Sequence, residues 1–181
     1  MRKIILSALV GTAALAATPA FAQGEAPAFR GGHVEAITGY DHITGGGSQD
    51  GILYGIGGGY DFRTNNVVLG IEGEVLESTA GECVGNLCVD ASRDFYIGGR
   101  IGAVVAPRVL VYGKLGYSNA RVDVTQNNVG DHTNLDGIRA GAGVELQFRN
   151  SPLSMRAEYR YTNYESGVER HQGTLGLAFR F

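Results

Sequence analysis

The stretch Gly173-Thr-Leu-Gly-Leu-Ala-Phe-Arg-Phe181 decides the fold class. Its apolar residues recur every second position: Leu175, Leu177, Phe179 and Phe181 share one face, and Thr174, Gly176, Ala178 and Arg180 share the other. A period of two belongs to a strand and not to a helix. The strand is two-faced, apolar on one side and small or charged on the other.

The same period runs through the chain from Phe29 onward. One face each is formed by Val34, Ala36, Thr38 and Tyr40; by Ile52, Tyr54, Ile56, Gly58, Tyr60 and Phe62; and by Val67, Leu69, Ile71, Gly73 and Val75. The series continues with Phe95 to Val105, Val109 to Tyr117, Ile138 to Phe148 and Leu153 to Tyr161, each at every second residue. With the closing stretch this makes eight strands. The connections alternate in length. "RTNN" (63–66), "APR" (106–108) and "NSP" (150–152) are tight and rich in turn-forming residues. "DHITGGGSQD" (41–50), "ESTAGECVGNLCVDAS" (77–92), "TQNNVGDHTNLD" (125–136) and "ESGVERHQ" (165–172) are longer and polar. Short and long connections in strict alternation put all tight turns at one end of an up-and-down meander. Strands of about ten residues joined in this way are the pattern of a bacterial transmembrane barrel.

The residues opposite the apolar faces decide which solvent each face meets. They include Glu35, Glu72, Glu74, Arg100, Lys114, Arg139, Glu145, Arg156, Glu158 and Arg160, separated largely by glycine. Small residues leave room for long Glu and Arg side chains to cross a narrow interior. The expected barrel is therefore inverted relative to a soluble one, with apolar residues toward lipid and charges toward the lumen. Phe62, Phe148, Phe179 and Phe181 fall near the tight-turn end; Tyr40, Tyr54, Phe95, Tyr117, Tyr161 and Tyr164 fall near the long-loop end. Two aromatic levels with aliphatic residues between them match the girdles at the two membrane interfaces. In lipid no backbone group stays unpaired, so the sheet must close. The ten charges are five acidic and five basic, a balance that suits internal ion pairing over a pore selective for one sign.

The first residues belong to a different class of segment. "MRKIILSALVGTAALAATPAFAQ" has a basic start, an apolar run too short to span a bilayer as a helix, and small residues at Ala20 and Ala22. Residues 1–22 are expected to be a signal peptide, 23–28 a short lead and 29–181 the barrel. Without Arg2 and Lys3 the chain has thirteen basic and eighteen acidic residues, a net charge of −5. That excludes a basic face for nucleic acid. Cys83 and Cys88 are the two cysteines, and in an exported chain a disulfide closing a tight loop is expected, contributing about 2 kcal/mol.

At this point the sequence resembles the small eight-stranded outer-membrane barrels of Gram-negative bacteria, the OmpA-like and porin-family barrel domains. The matching features are the "AFA" signal ending, the glycine-rich "GILYGIGGGYDF" (51–62) and the terminal "LGLAFRF" (175–181). The resemblance implies a place in the cell outer membrane, in contact with its lipids. It also implies that Leu175, Leu177, Phe179 and Phe181 form the signal read by the outer-membrane assembly machinery. No cell-wall-binding domain follows the barrel, so a tether to the wall is not implied.

Little points to chemistry. His42, His132 and His171 map to the long-loop end, and Ser78, Ser92 and Ser118 are rim serines, but no Ser–His pairing is readable. The three histidines could offer imidazoles to a metal with Asp41 or Asp131, yet no ligand spacing repeats, and no metal or cofactor is expected. Glu72 and Glu74 share a lumen face, where pairing with Arg and Lys outweighs an acid–base role. The expectation is a non-enzymatic barrel with a structural and surface-exposed role, its long loops being the place for a surface ligand. A narrow porin for small solutes and a lipid-modifying enzyme are the alternatives.

Overall fold

The computed structural model describes residues 28–44, 48–84, 87–126 and 129–181; the side chains at 48, 81–92, 122–133 and 166 fall outside that description. The expected signal peptide, residues 1–22, and most of the short lead also lie outside the described residues.

Alternating sequences become antiparallel strands because each pair of neighbours satisfies the other's backbone groups. The strands are β1 (Gly31–Thr44), β2 (Ser48–Thr64), β3 (Val67–Ser78), β4 (Gly81–Val84), β5 (Leu87–Ala106), β6 (Val109–Gln126), β7 (Val129–Gln147), β8 (Leu153–Tyr164) and β9 (Glu169–Arg180). Every neighbouring pair is antiparallel. The first strand pairs with the last, Val34 opposite Phe179, and β3 pairs with β5, Leu69 opposite Ile101. These two seams close an eight-stranded barrel, and β4 is a short extra strand hairpinned onto the outer extension of β5. Closure leaves no edge in the membrane.

The tight turns form where expected. Asn65 and Asn150 take the left-handed backbone, at φ 55° and 53°, which Asn tolerates better than most residues.

The long connections differ from the expectation of polar loops. Most of "DHITGGGSQD" is strand, with Thr44 opposite Ser48, and most of "TQNNVGDHTNLD" is strand, with Gln126 opposite Val129. The apolar alternation stops where the lipid stops, but the backbone ladder needs no lipid and continues into water. Three hairpins therefore rise above the barrel. Cys83 lies opposite Cys88 in the β4–β5 register. Their side chains fall outside the described ones, and with them the expected disulfide.

Burial is inverted. Ile56, Ile71 and Ile97 are about two-thirds exposed, at 67%, 66% and 68%, while Arg139 and Glu145 are fully buried. In water this would be an untenable surface. In a bilayer the exposed band is the solvated one. Phe62, Phe148, Phe179 and Phe181 are exposed at the tight-turn end, and Tyr40, Tyr54, Phe95 and Tyr117 at the other. Tyr164 departs from the expected outer girdle. It is buried, because Tyr159, Tyr161 and Asn163 take the outward parity of β8 and Tyr164 shares the inward parity of Arg160 and Thr162.

Candidate functional site

The inward faces converge on a packed, charged interior. All ten lumen charges expected from the sequence are buried there. The structure adds Asp41, Asp61, Asp94, Arg170, Arg180 and His33, so the described interior holds eight acidic and seven basic residues beside one histidine. They form three interlocked layers.

At the tight-turn end, Glu145 accepts hydrogen bonds from Arg100 Nη1 (3.1 Å), Arg156 Nε (3.1 Å), Arg180 Nη2 (2.8 Å) and Ser154 Oγ (2.7 Å). Asp61 takes a two-pronged contact from Arg100, with Nε at 2.8 Å, and accepts from Arg180 Nη1 at 2.6 Å. Below this layer Phe29 closes the barrel with Val68, Val104, Leu110 and Tyr112. Arg63 Nη1 holds the incoming chain by donating to the Ala28 carbonyl at 2.7 Å.

In the middle, Lys114 Nζ lies 3.0 Å from Glu72, 2.6 Å from Glu74 and 2.8 Å from Glu158. Arg160 donates to both oxygens of Glu74, at 2.7 and 3.0 Å, and pairs with Glu158. Arg156 Nη1 donates to Glu35 at 3.0 Å, and Tyr112 donates to Glu158 at 2.6 Å. Gly57 leaves the room this layer needs. A Cβ there would stand 2.9 Å from Glu35 Oε1 and 3.2 Å from the Glu74 Cγ.

At the outer end, Arg170 is bidentate to Asp41 (2.8 and 2.5 Å) and donates to Asp94 (2.9 Å). Arg139 pairs with Asp94 and donates to Thr162 at 3.0 Å. A cavity of about 40 Å³, lined in part by Ser78, Asp94, Tyr164 and Arg170, opens at this mouth. It has room for about three or four waters, by the usual volume of about 10–15 Å³ per water position.

The chemistry available to these groups is pairing. The Ser78 hydroxyl donates to Asp41 at 2.6 Å and that of Ser118 to Asp94 at 2.6 Å, so both rim serines with described side chains are structural donors. His33, Glu35 and Glu72 bring ligand atoms within 4.8 Å of one another, the spacing of a metal site. The cation's place is taken by side chains: Arg156 Nη2 is 3.1 Å from His33 Nε2, and Lys114 is 3.0 Å from Glu72.

On the outer surface, just beyond the tyrosine girdle, side chains that face away from the lumen also pair. Tyr54 donates to Glu77 at 3.0 Å, Tyr117 to Asp136 at 2.5 Å and Tyr161 to Glu169 at 3.1 Å. His42 Nδ1 lies 2.5 Å from Asp50. The His42 ring, and then the Tyr40 hydroxyl, hold the Asp50 carboxyl below the usual carboxylate range. His171, on β9, is directly opposite His42, and Asp41 points inward to Arg170, away from both. The side chain of His132 lies outside the described residues.

The family model described as "Outer membrane protein beta-barrel domain" matches residues 7–181. The chain belongs to this family. It is an outer-membrane β-barrel protein, and its place is the outer membrane. It is 28% identical over 149 residues to the 22 kDa outer membrane protein of Rhizobium leguminosarum bv. viciae, covering 74% of this chain and 70% of that protein. It is 27% identical over 124 residues to the 25 kDa outer-membrane immunogenic protein of Brucella ovis, covering 68% of this chain and 60% of that one. Among solved structures, the attachment invasion locus protein Ail of Yersinia pestis matches with a TM-score of 0.62 at 14% identity, over 84% of this chain and 99% of Ail. Neisserial surface protein A matches with a TM-score of 0.62 at 17% identity, over 83% of this chain and 97% of that one. At such identities the two structures share the fold with this chain.

Proposed function

We propose that this outer-membrane barrel carries out no reaction and serves a structural role, closed by its own interior and presenting the outer hairpins at the cell surface. The observation that carries this reading is the interior itself. Fifteen buried charged residues of near-balanced sign neutralise one another across the lumen, and Phe29 packs the tight-turn end. Ions crossing such an interior would have to displace paired groups, and burial at low dielectric makes each unpaired charge costly. The rim hydroxyls of Ser78 and Ser118 are bound to carboxylates and so are poor candidates for a nucleophile. The outward row Leu175, Leu177, Phe179 and Phe181 is free on the lipid side for the assembly machinery to read. The Brucella ovis relative is named immunogenic, which supports surface display of the hairpins.

A deletion strain tests this reading. Loss of the chain is expected to raise entry of a hydrophobic dye through the outer membrane and to leave the mass spectrum of the outer-membrane lipids unchanged. A lipid mass difference restored by the wild type, but not by the Ser78→Ala, Ser118→Ala double variant, would overturn the non-enzymatic reading.

A further inference from the structure

We propose that His42 and His171 form a two-imidazole site for a divalent transition metal of the zinc class on the outer rim of the barrel. The two residues are direct partners across the β1–β9 seam. They share the outward face at the outer edge of the aromatic girdle, His42 two residues beyond Tyr40 on β1 and His171 level with Tyr161 on β8. Opposed residues in antiparallel strands hold their Cβ atoms about 4.5–5.5 Å apart, a span two imidazoles can bridge to one ion at metal–nitrogen distances of about 2.0–2.1 Å.

The second observation is how each ring is held. His42 Nδ1 is tied to Asp50 on β2 at 2.5 Å, and His171 Nδ1 to the Tyr159 hydroxyl on β8 at 2.7 Å. The strands run β2, β1, β9, β8 around the barrel, so the two Nδ1 partners lie on opposite outer sides of the seam. Because Nδ1 and Nε2 lie on opposite edges of an imidazole, tying both Nδ1 atoms away from the seam turns the Nε2 edges toward it. A carboxylate or hydroxyl on the second ring nitrogen is what orients metal-binding histidines and fixes their tautomer. With Nδ1–H donating to Asp50, His42 carries its lone pair at Nε2, the atom a metal would take. Tyr161, whose ring centroid is 5.1 Å from that of His171, adds packing on the β8 side. Water fills the remaining coordination positions.

The site differs in kind from the buried His33–Glu35–Glu72 group, whose cation positions are held by Arg156 and Lys114. At the rim the histidines are bonded to the Asp50 carboxylate and the Tyr159 hydroxyl, and the carboxylate favours a cation.

Calorimetric titration of Zn²⁺ into the refolded full barrel in nanodiscs tests the proposal. One ion per barrel is expected to bind. Binding is lost in His42→Asn and in His171→Asn, is kept in His132→Asn, and weakens about tenfold in Asp50→Asn, the usual scale for removing an orienting partner. A second readout needs no variant: Zn²⁺ shifts the Nε2 nitrogen resonances of two histidines of the wild-type protein. Absence of Zn²⁺ binding by the wild type, binding that survives either rim-histidine variant, or binding abolished by His132→Asn would each overturn the site.

Discussion

Glu145→Gln tests the interior at its most connected point. Glu145 is fully buried and accepts from three guanidiniums and one hydroxyl. Glutamine keeps the volume, removes the charge and turns one acceptor into a donor that faces arginines. Arg100 and Arg180 would keep Asp61, and Arg156 would keep Glu35, so the network loses its hub without collapsing. Removing one partner of a buried ion pair costs about 3–5 kcal/mol. With a urea m-value of about 2 kcal/mol per molar, the unfolding midpoint falls by about 2 M. The assay is urea titration of the protein in vesicles, read by the folded and unfolded bands on an unheated gel. Glu77→Gln is the control. Glu77 is exposed and bonded to Tyr54, so it is worth about 1 kcal/mol or less. A Glu145→Gln midpoint within about 0.3 M of wild type would contradict a dry, ion-paired interior, because only a well-hydrated lumen could leave that charge so cheap to lose.

Gly57→Val would press a branched side chain against Glu35 and Glu74 and is expected to destabilise the barrel by about 1–3 kcal/mol in the same titration, whereas Gly73→Ala, whose Cβ meets its nearest atom at 3.6 Å on the lipid side, leaves the midpoint unchanged or slightly higher. Phe181→Ala is expected to lower the amount of barrel assembled in cells several-fold while refolding in vitro proceeds; equal amounts of variant and wild type in isolated outer membranes would show that this aromatic is not read during assembly.

The barrel was legible because lipid enforces parity. Every strand that crosses the apolar layer must alternate, so Leu175 and Ile97 report their outward face, and Arg139 and Glu145 report the lumen, without any long-range information. The interior charges that sequence reading passed over divide into two kinds. Asp61 sits between Tyr60 and Phe62, and Asp94 just before Phe95, so strict parity already turns them inward; Tyr96 and Tyr112 follow by the same rule. Asp41 and Arg170 had no such signal. They lie in stretches where the apolar face has ended, and a strand that both faces water on one side and ion pairs on the other looks like a polar loop. The pairing Arg170–Asp41 links residues 129 apart in the chain, a contact set by barrel closure and not by local sequence. The rim histidines illustrate the same limit. Their alignment depends on the β1–β9 register, which exists only once the first and last strands meet.

The lumen is closed by its own charges. Single-channel recording of the refolded protein in a planar bilayer tests this closure most directly, with folding first established by the gel shift. A sealed lumen leaves the bilayer silent under applied voltage. Stepwise, reproducible openings from folded wild-type protein would contradict it, and would make Arg100, Lys114, Glu72 and Glu74 the lining of a conducting path.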